Sequence, residues 1–202
     1  VNQAAYTVDY ATLTLNWAGG TREELLALNG VTANGLGTDY AEGNAPYRVK
    51  FDTSGDYIQV KTDSRPGGVI IGVKMVGGAN ASSIKVQASV DGETFDDGEV
   101  LTISGAQNSV LTLRSTREFG ENVRYVRLYF TKGSNVGVGP IAIYKYTEYN
   151  ILSITGYGEG SGNWYLVASP VSTTPETAGM ITDELGAQAT PEDATYDLYK
   201  YD

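Results

Sequence analysis

Neither cysteine nor histidine occurs anywhere in the 202 residues. Without thiols there is no disulfide framework and no cysteine nucleophile. Without imidazole the usual general base near neutral pH and the commonest zinc ligand are gone as well. Basic side chains are scarce too: fourteen Lys and Arg stand against twenty-four Asp and Glu, a formal charge of −10. That balance repels phosphate backbones and anionic lipid heads inside a Debye length, so nucleic acid is not expected as a partner. No apolar run approaches the roughly 20 residues of a membrane helix, so direct membrane insertion is not expected either. Cysteine-free chains suit oxidising and reducing compartments alike. Phenylalanine is sparse, four copies against fifteen tyrosines, which predicts rings whose hydroxyl tips reach water or a ligand.

What the chain does have is short-period alternation. Leu13, Leu15 and Trp17 fall on one face with Thr12, Thr14 and Asn16 on the other; Tyr47, Val49 and Phe51 alternate with Arg48 and Lys50. Ile58 and Val60 alternate with Tyr57, Gln59 and Lys61, and Ile84, Val86, Ala88 and Val90 with Lys85, Gln87 and Ser89. Each reads as a half-buried strand. Residues 69–76 are more continuously apolar, as in a strand covered on both sides. Asp91-Gly92 marks a tight turn. Residues 100–104, 110–114, 123–131 and 138–146 supply four more strands, about nine in all before residue 147. One helical patch competes, Arg22 to Leu28, with Thr21 as N-cap, Glu24 as its capping-box partner and Asn29-Gly30 as its stop. Many short strands with turns every eight to twelve residues predict an all-β, two-sheet sandwich or jelly roll over 1–147.

Composition changes after Tyr146. Strand-like stretches at 149–155 and 164–169 flank the glycine-rich turn 156–162, and a last alternation runs from Tyr196 to Asp202. Three strands of about six residues cannot bury a core alone. Residues 148–202 are therefore expected to be a partial second β-module or C-terminal extension. They would be completed by missing chain, by the first domain, or by self-association with another copy. A start at Val1, with no charged-then-apolar leader before it, is what a processed secreted chain is expected to show, and a trimmed chain equally.

Four segments carry a family likeness: 43–51 (Gly-Asn-Ala-Pro-Tyr-Arg-Val-Lys-Phe), 56–61 (Asp-Tyr-Ile-Gln-Val-Lys), 89–95 (Ser-Val-Asp-Gly-Glu-Thr-Phe) and 124–128 (Arg-Tyr-Val-Arg-Leu). In this order they resemble the galactose-binding-like jelly rolls related to discoidin domains. Together with 132–140, the region resembles the version found in secreted multidomain proteins of Bacteroidetes. Residues 163–170 and 196–199 look like the start of a further β-module of such proteins. The resemblance implies an extracellular or cell-surface location and a non-catalytic module, often carbohydrate-binding or adhesive.

Paired carboxylates are the one catalytic device the composition leaves open. The densest acidic cluster, Asp96, Asp97 and Glu99, follows a turn, and adjacent residues in extended chain point to opposite faces. A solvated turn is its expected role. Structural calcium would be held by scattered oxygens that no spacing here demands, and no other cofactor is implied. The glycine-rich 132–140 lacks a Gly-Lys-Ser/Thr ending and opens a strand, so a bend or bulge is expected, not a phosphate loop. Asn80-Ala81-Ser82 matches a glycosylation sequon that also arises by chance.

Two candidate ligand surfaces follow. The first lies in the loops that end a sandwich: Trp17, Arg22, Asp39 and Tyr40 offer an aromatic face with polar partners for a sugar. Trp17 also continues a buried alternation, and Asp39 and Tyr40 also suit holding their own loop. The second is a sheet face. Val126, Leu128 and Phe130 take the core side of one strand and Tyr125, Arg127 and Tyr129 the other. If these neighbour Tyr57 and Lys61 they make an aromatic and cationic platform for a glycan or an extracellular protein, or else simply cover a solvated face. The function expected is a non-catalytic binding module, carbohydrate-binding or adhesive, within a larger surface protein. The alternative is a structural subunit or spacer completed by strand pairing.

Overall fold

The structure is a computed structural model, and it describes residues 2–152. The chain divides into two compact units, Ala5–Glu148 and a second comprising Val1–Ala4 with Tyr149–Asp202. From residue 153 on, the expected second module and its self-association lie outside the described residues. The described elements are β1 (Asn2–Trp17), α1 (Arg22–Leu26), β2 (Val31–Asn34), a 3-10 turn (Glu42–Asn44), β3 (Val49–Phe51), β4 (Tyr57–Lys61), β5 (Pro66–Met75), β6 (Ser82–Ser89), β7 (Glu99–Ile103), β8 (Val110–Arg114), β9 (Tyr125–Thr131) and β10 (Val136–Leu152).

They form two five-stranded sheets, β1-β10-β5-β8 with β3 added to β10, and β2-β4-β9-β6-β7. This is the all-β sandwich that the alternation predicts. Its core is the inward set of each strand: Ile58 and Val60, Ile84 and Val86, and Val126, Leu128 and Phe130 from the second sheet. Val49 and Phe51, Val69, Ile71 and Val73, and Val136, Val138, Ile141 and Ile143 come from the first. Phe51 and Phe130, one from each sheet, stack at 5.1 Å. Because side chains alternate across a strand, burying Val126, Leu128 and Phe130 forces Tyr125, Arg127 and Tyr129 onto the outer face.

β5 is buried on both sides, for a particular reason. Its outward positions include glycines over which other side chains lie: a Cβ at Gly68 would meet Val8 at 3.1 Å, and one at Gly72 would meet Pro140 at 3.0 Å and the Tyr47 ring at 3.2 Å. The glycine-rich stretch at 132–140 is a bend that leads into β10 at Val136, and the strand then carries a bulge, since the pairing of β10 with β5 shifts register between Val138 and Ile141. The Asp91-Gly92 turn forms with Gly92 at φ +81°.

α1 carries the expected capping box: Thr21 Oγ1 accepts from Glu24 N at 3.2 Å and Glu24 Oε2 accepts from Thr21 N at 2.7 Å. The helix stops at Leu26, two residues short of the apolar run, and the chain turns through Gly30 at φ +77°. β2 is an addition to the expected strands. Only Val31 of its four residues is buried, too brief an alternation to stand out, and pairing with β4 is what defines it.

Candidate functional site

The register of the second sheet places its outward residues in cross-strand rows. One row runs Asn34, Tyr57, Tyr129, Lys85 and Val100 over β2, β4, β9, β6 and β7. The next runs Thr32, Gln59, Arg127 and Gln87. A third runs Lys61, Tyr125 and Ser89. Directly paired residues lie about 4.5–5.5 Å apart at Cβ, so each row is a continuous strip of side chains.

Arg127 sits at the middle of this face. Its Nε donates to Gln87 Oε1 at 2.9 Å. Its guanidinium carbon lies 3.8 Å from the centre of the Phe95 ring, 5.2 Å from that of Tyr57 and 5.7 Å from that of Tyr129. Three aromatic rings thus fix the orientation of one cation. No protein acceptor among the described residues takes a hydrogen bond from its two terminal nitrogens. The Tyr57, Tyr125 and Tyr129 rings are half-buried and their hydroxyls likewise have no hydrogen-bond partner among the described residues. Lys61 Nζ stands 5.8 Å from the centre of the Tyr125 ring.

The loop between β6 and β7 folds over one end of the face and reaches its middle, where Phe95 lies on Arg127. Gly92 lies against the Tyr125 ring, where a Cβ would come within 2.8 Å. Gln59 Nε2 donates to Gly92 O at 3.3 Å and Gln87 Nε2 to Asp96 O at 2.8 Å. The loop is held by local bonds: Asp91 Oδ1 accepts from the backbone N–H groups of Glu93 and Thr94 at 2.8 and 2.9 Å and from the Ser89 hydroxyl. Those N–H groups, Thr94 first, hold the Asp91 carboxyl down at about 2. Phe95, Gln59, Gln87 and Lys85 extend the platform residues read from sequence. The polar half of the β6 alternation carries a signal for Lys85 and Gln87; Phe95 has none.

The acidic cluster has structural work. Asp96 forms an ion pair with Arg117 and accepts from Ala88 N at 2.9 Å. Burial alone would raise its carboxyl, but these bonds hold it below the ordinary value. Glu99 behaves in the same way: burial raises it, while bonds from Ser115, Thr116 and Arg117 N more than offset that and lower it. Asp97 is exposed. Among the described residues, no group of three or more acidic side chains converges as a metal ion would need.

The loop candidates are arranged differently. Arg22 and Asp39 come together, Arg22 N donating to Asp39 Oδ1 at 2.8 Å, while Arg22 Nη1 donates to Leu36 O at 3.1 Å. Both hold the segment between β2 and the 3-10 turn against α1. Tyr40 is pinned by its backbone, through Tyr40 N to Arg48 O at 2.8 Å and Arg48 Nε to Tyr40 O at 3.1 Å. Its hydroxyl is shut off from solvent and completes no hydrogen bond of good geometry. Burial first, and the Asp52 carboxylate second, push it up to about 12, with the Asn135 amide acting weakly the other way. Trp17 is 6% exposed and belongs to the core. Trp17 also borders a shallow groove of about 170 Å³ on the first sheet, with Tyr47, Gly72 and Pro140. In this arrangement the loop residues turn their polar groups on the protein itself, whereas on the sheet face Gln59, Gln87 and the Arg127 Nε are engaged and the Arg127 terminal nitrogens and tyrosine hydroxyls are left without a partner among the described residues.

No family model and no curated protein matches this sequence. Among solved structures, the C-terminal family 22 carbohydrate-binding module of xylanase 10B from Clostridium thermocellum aligns at 13% identity and a TM-score of 0.48, covering 68% of this chain and 96% of that one. A family 6 module from Clostridium stercorarium in complex with cellobiose aligns at 15% identity and a TM-score of 0.42, covering 62% and 91%. A family 29 module complexed with cellulohexaose aligns at 16% identity and a TM-score of 0.39, covering 70% and 92%.

Proposed function

We propose that the sandwich of Ala5–Glu148 is a non-catalytic glycan-binding module of an extracellular or cell-surface protein, and that it binds through the outer face of its second sheet. The observation that carries this reading is Arg127, oriented by three aromatic rings with its terminal nitrogens unpaired. Sugars present apolar C–H faces and a rim of hydroxyls. Half-buried tyrosines supply the surface for the first, and phenols, a guanidinium and amides supply partners for the second. The groups are held before any ligand arrives, by the sheet register and by the Gln87 and Phe95 contacts. Little ordering cost then remains for binding. The resemblance of the strands to galactose-binding-like jelly rolls supports the same class.

Calorimetric titration of the full chain with soluble polysaccharides tests it. Tyr57→Ala and Tyr129→Ala should each weaken binding about tenfold, the equivalent of ~1.4 kcal/mol, while leaving the thermal midpoint nearly unchanged. Asp39→Ala, on the loop, should leave affinity as it was. Loss of binding in the Asp39 variant with retention in the tyrosine variants would move the site to the loops.

A further inference from the structure

The outward strand positions of the second sheet have a charge opposite to that of the chain as a whole. They carry Lys61, Lys85 and Arg127 and not one Asp or Glu, in a protein of net charge −10. None of the three pairs with a carboxylate among the described residues: the ion pairs found there are Lys50 with Asp52 and Arg117 with Asp96.

Their placement is regular. Lys61 is opposite Tyr125, two residues before Arg127 on β9. Arg127 is opposite Gln87, two residues after Lys85 on β6. The three cations therefore lie on one diagonal across β4, β9 and β6, each step being the diagonal spacing of about 7–8 Å between neighbouring strands. Tyr125 flanks the line on one side, and Tyr57 and Tyr129 on the other. A surface that had only to stay soluble would mix both signs; a single-sign line edged with rings is suited to a chain that alternates sugar rings with negative charge.

Building on the glycan reading, we infer that the ligand is an acidic polysaccharide, one bearing carboxylates at regular intervals. Arg127 supplies a planar fork for one carboxylate, as lysine cannot, and Lys61 and Lys85 supply point charges on either side. The β6–β7 loop carries the exposed carboxylates Asp91, Glu93 and Asp97, which disfavour an acidic chain on the loop side and leave the side of Tyr57, Tyr129 and Lys85 as its path.

The experiment is titration of the full chain with polygalacturonate and, separately, with neutral galactan and xylan, at low and high NaCl, about 50 and about 500 mM, between which the Debye length falls roughly threefold. Polygalacturonate should bind, and should weaken by about tenfold or more at the higher salt. Lys85→Ala and Arg127→Lys should each reduce its affinity several-fold. Lys74→Ala, a lysine of the first sheet bonded to Asn44, should leave it unchanged. Two results would overturn the inference while leaving the glycan reading intact: tighter binding of a neutral polysaccharide that the tyrosine variants abolish, or polygalacturonate binding that Lys85→Ala and Arg127→Lys do not affect. Binding of none of the three polymers would overturn this inference on its own, and the wider reading would fall with it if a broader panel of neutral and acidic glycans also failed.

Discussion

At the scale of single residues, Tyr40 shows how a side chain attractive in sequence can be engaged otherwise. Its hydroxyl is buried without a good partner, a state that costs free energy wherever the group cannot reach water. Tyr40→Phe removes that cost along with the group, so chemical denaturation should find the variant as stable as the parent or up to ~1 kcal/mol more stable. Because burial raises the phenol to about 12 in the folded protein, its ionisation does not affect stability below pH 10, and stability falls as pH rises from 10 toward 12, where the unfolded chain ionises and the folded one does not. Ultraviolet titration should show one tyrosine ionising late, and that late step should vanish in Tyr40→Phe. Asp91 has the opposite sign. Its carboxyl is held at about 2 against an ordinary 3.8, so the stability it confers is present above pH 4 and is lost as pH falls through 2. A pH series of thermal midpoints should show this acid limb shrink in Asp91→Asn.

At the scale of elements, the two sheets are joined by their core and at one edge by Glu99. That carboxylate leaves β7 and takes hydrogen bonds from Thr116 N at 3.0 Å, Thr116 Oγ1 at 2.8 Å and Arg117 N at 3.1 Å, in the segment that follows β8. Glu99→Ala should cost about 1.5–3 kcal/mol, the range for hydrogen bonds to a charged group, in urea unfolding. Hydrogen exchange should then speed up in β7 and in residues 115–117 before it does in β9. Phe130→Ala removes a fully buried ring stacked on Phe51, and a loss of about 3–5 kcal/mol is expected from the cavity it leaves. Elements with a full alternation, such as β4, β6 and β9, are legible in their own residues. β2 is not, because four residues with one buried side chain carry too little periodicity. The ends of β5 are blurred because glycines let Tyr47, Pro140 and Val8 cover its outer side, and an alternation needs one wet face to be seen.

At the scale of the whole molecule, function depends on strands far apart in sequence meeting in one register. Tyr57 and Tyr129 are directly opposite, and Lys85 is the next neighbour, so the platform joins three parts of the chain. A protein with Tyr57, Arg127 and Tyr129 all replaced by alanine should stay folded by circular dichroism, since these outward groups add little to the core. The same variant should lose polysaccharide binding altogether in affinity electrophoresis. Retained binding would place the site elsewhere on the sandwich.

The all-β class and the sidedness of the strands are written in the order of the residues, because period-2 alternation is a local property and burial of one face dictates the other. So are the capped helix α1 and the Asp91-Gly92 turn, where the bonds run between residues two or three apart. Which outward residues share a surface is a matter of tertiary pairing. Cross-strand register is a long-range choice, and a shift of one residue would have turned Arg127 into the core. The folding of Phe95 over Arg127 and the diagonal of three cations both follow from that choice. They turn scattered tyrosines and basic residues into one face with a sign and a direction.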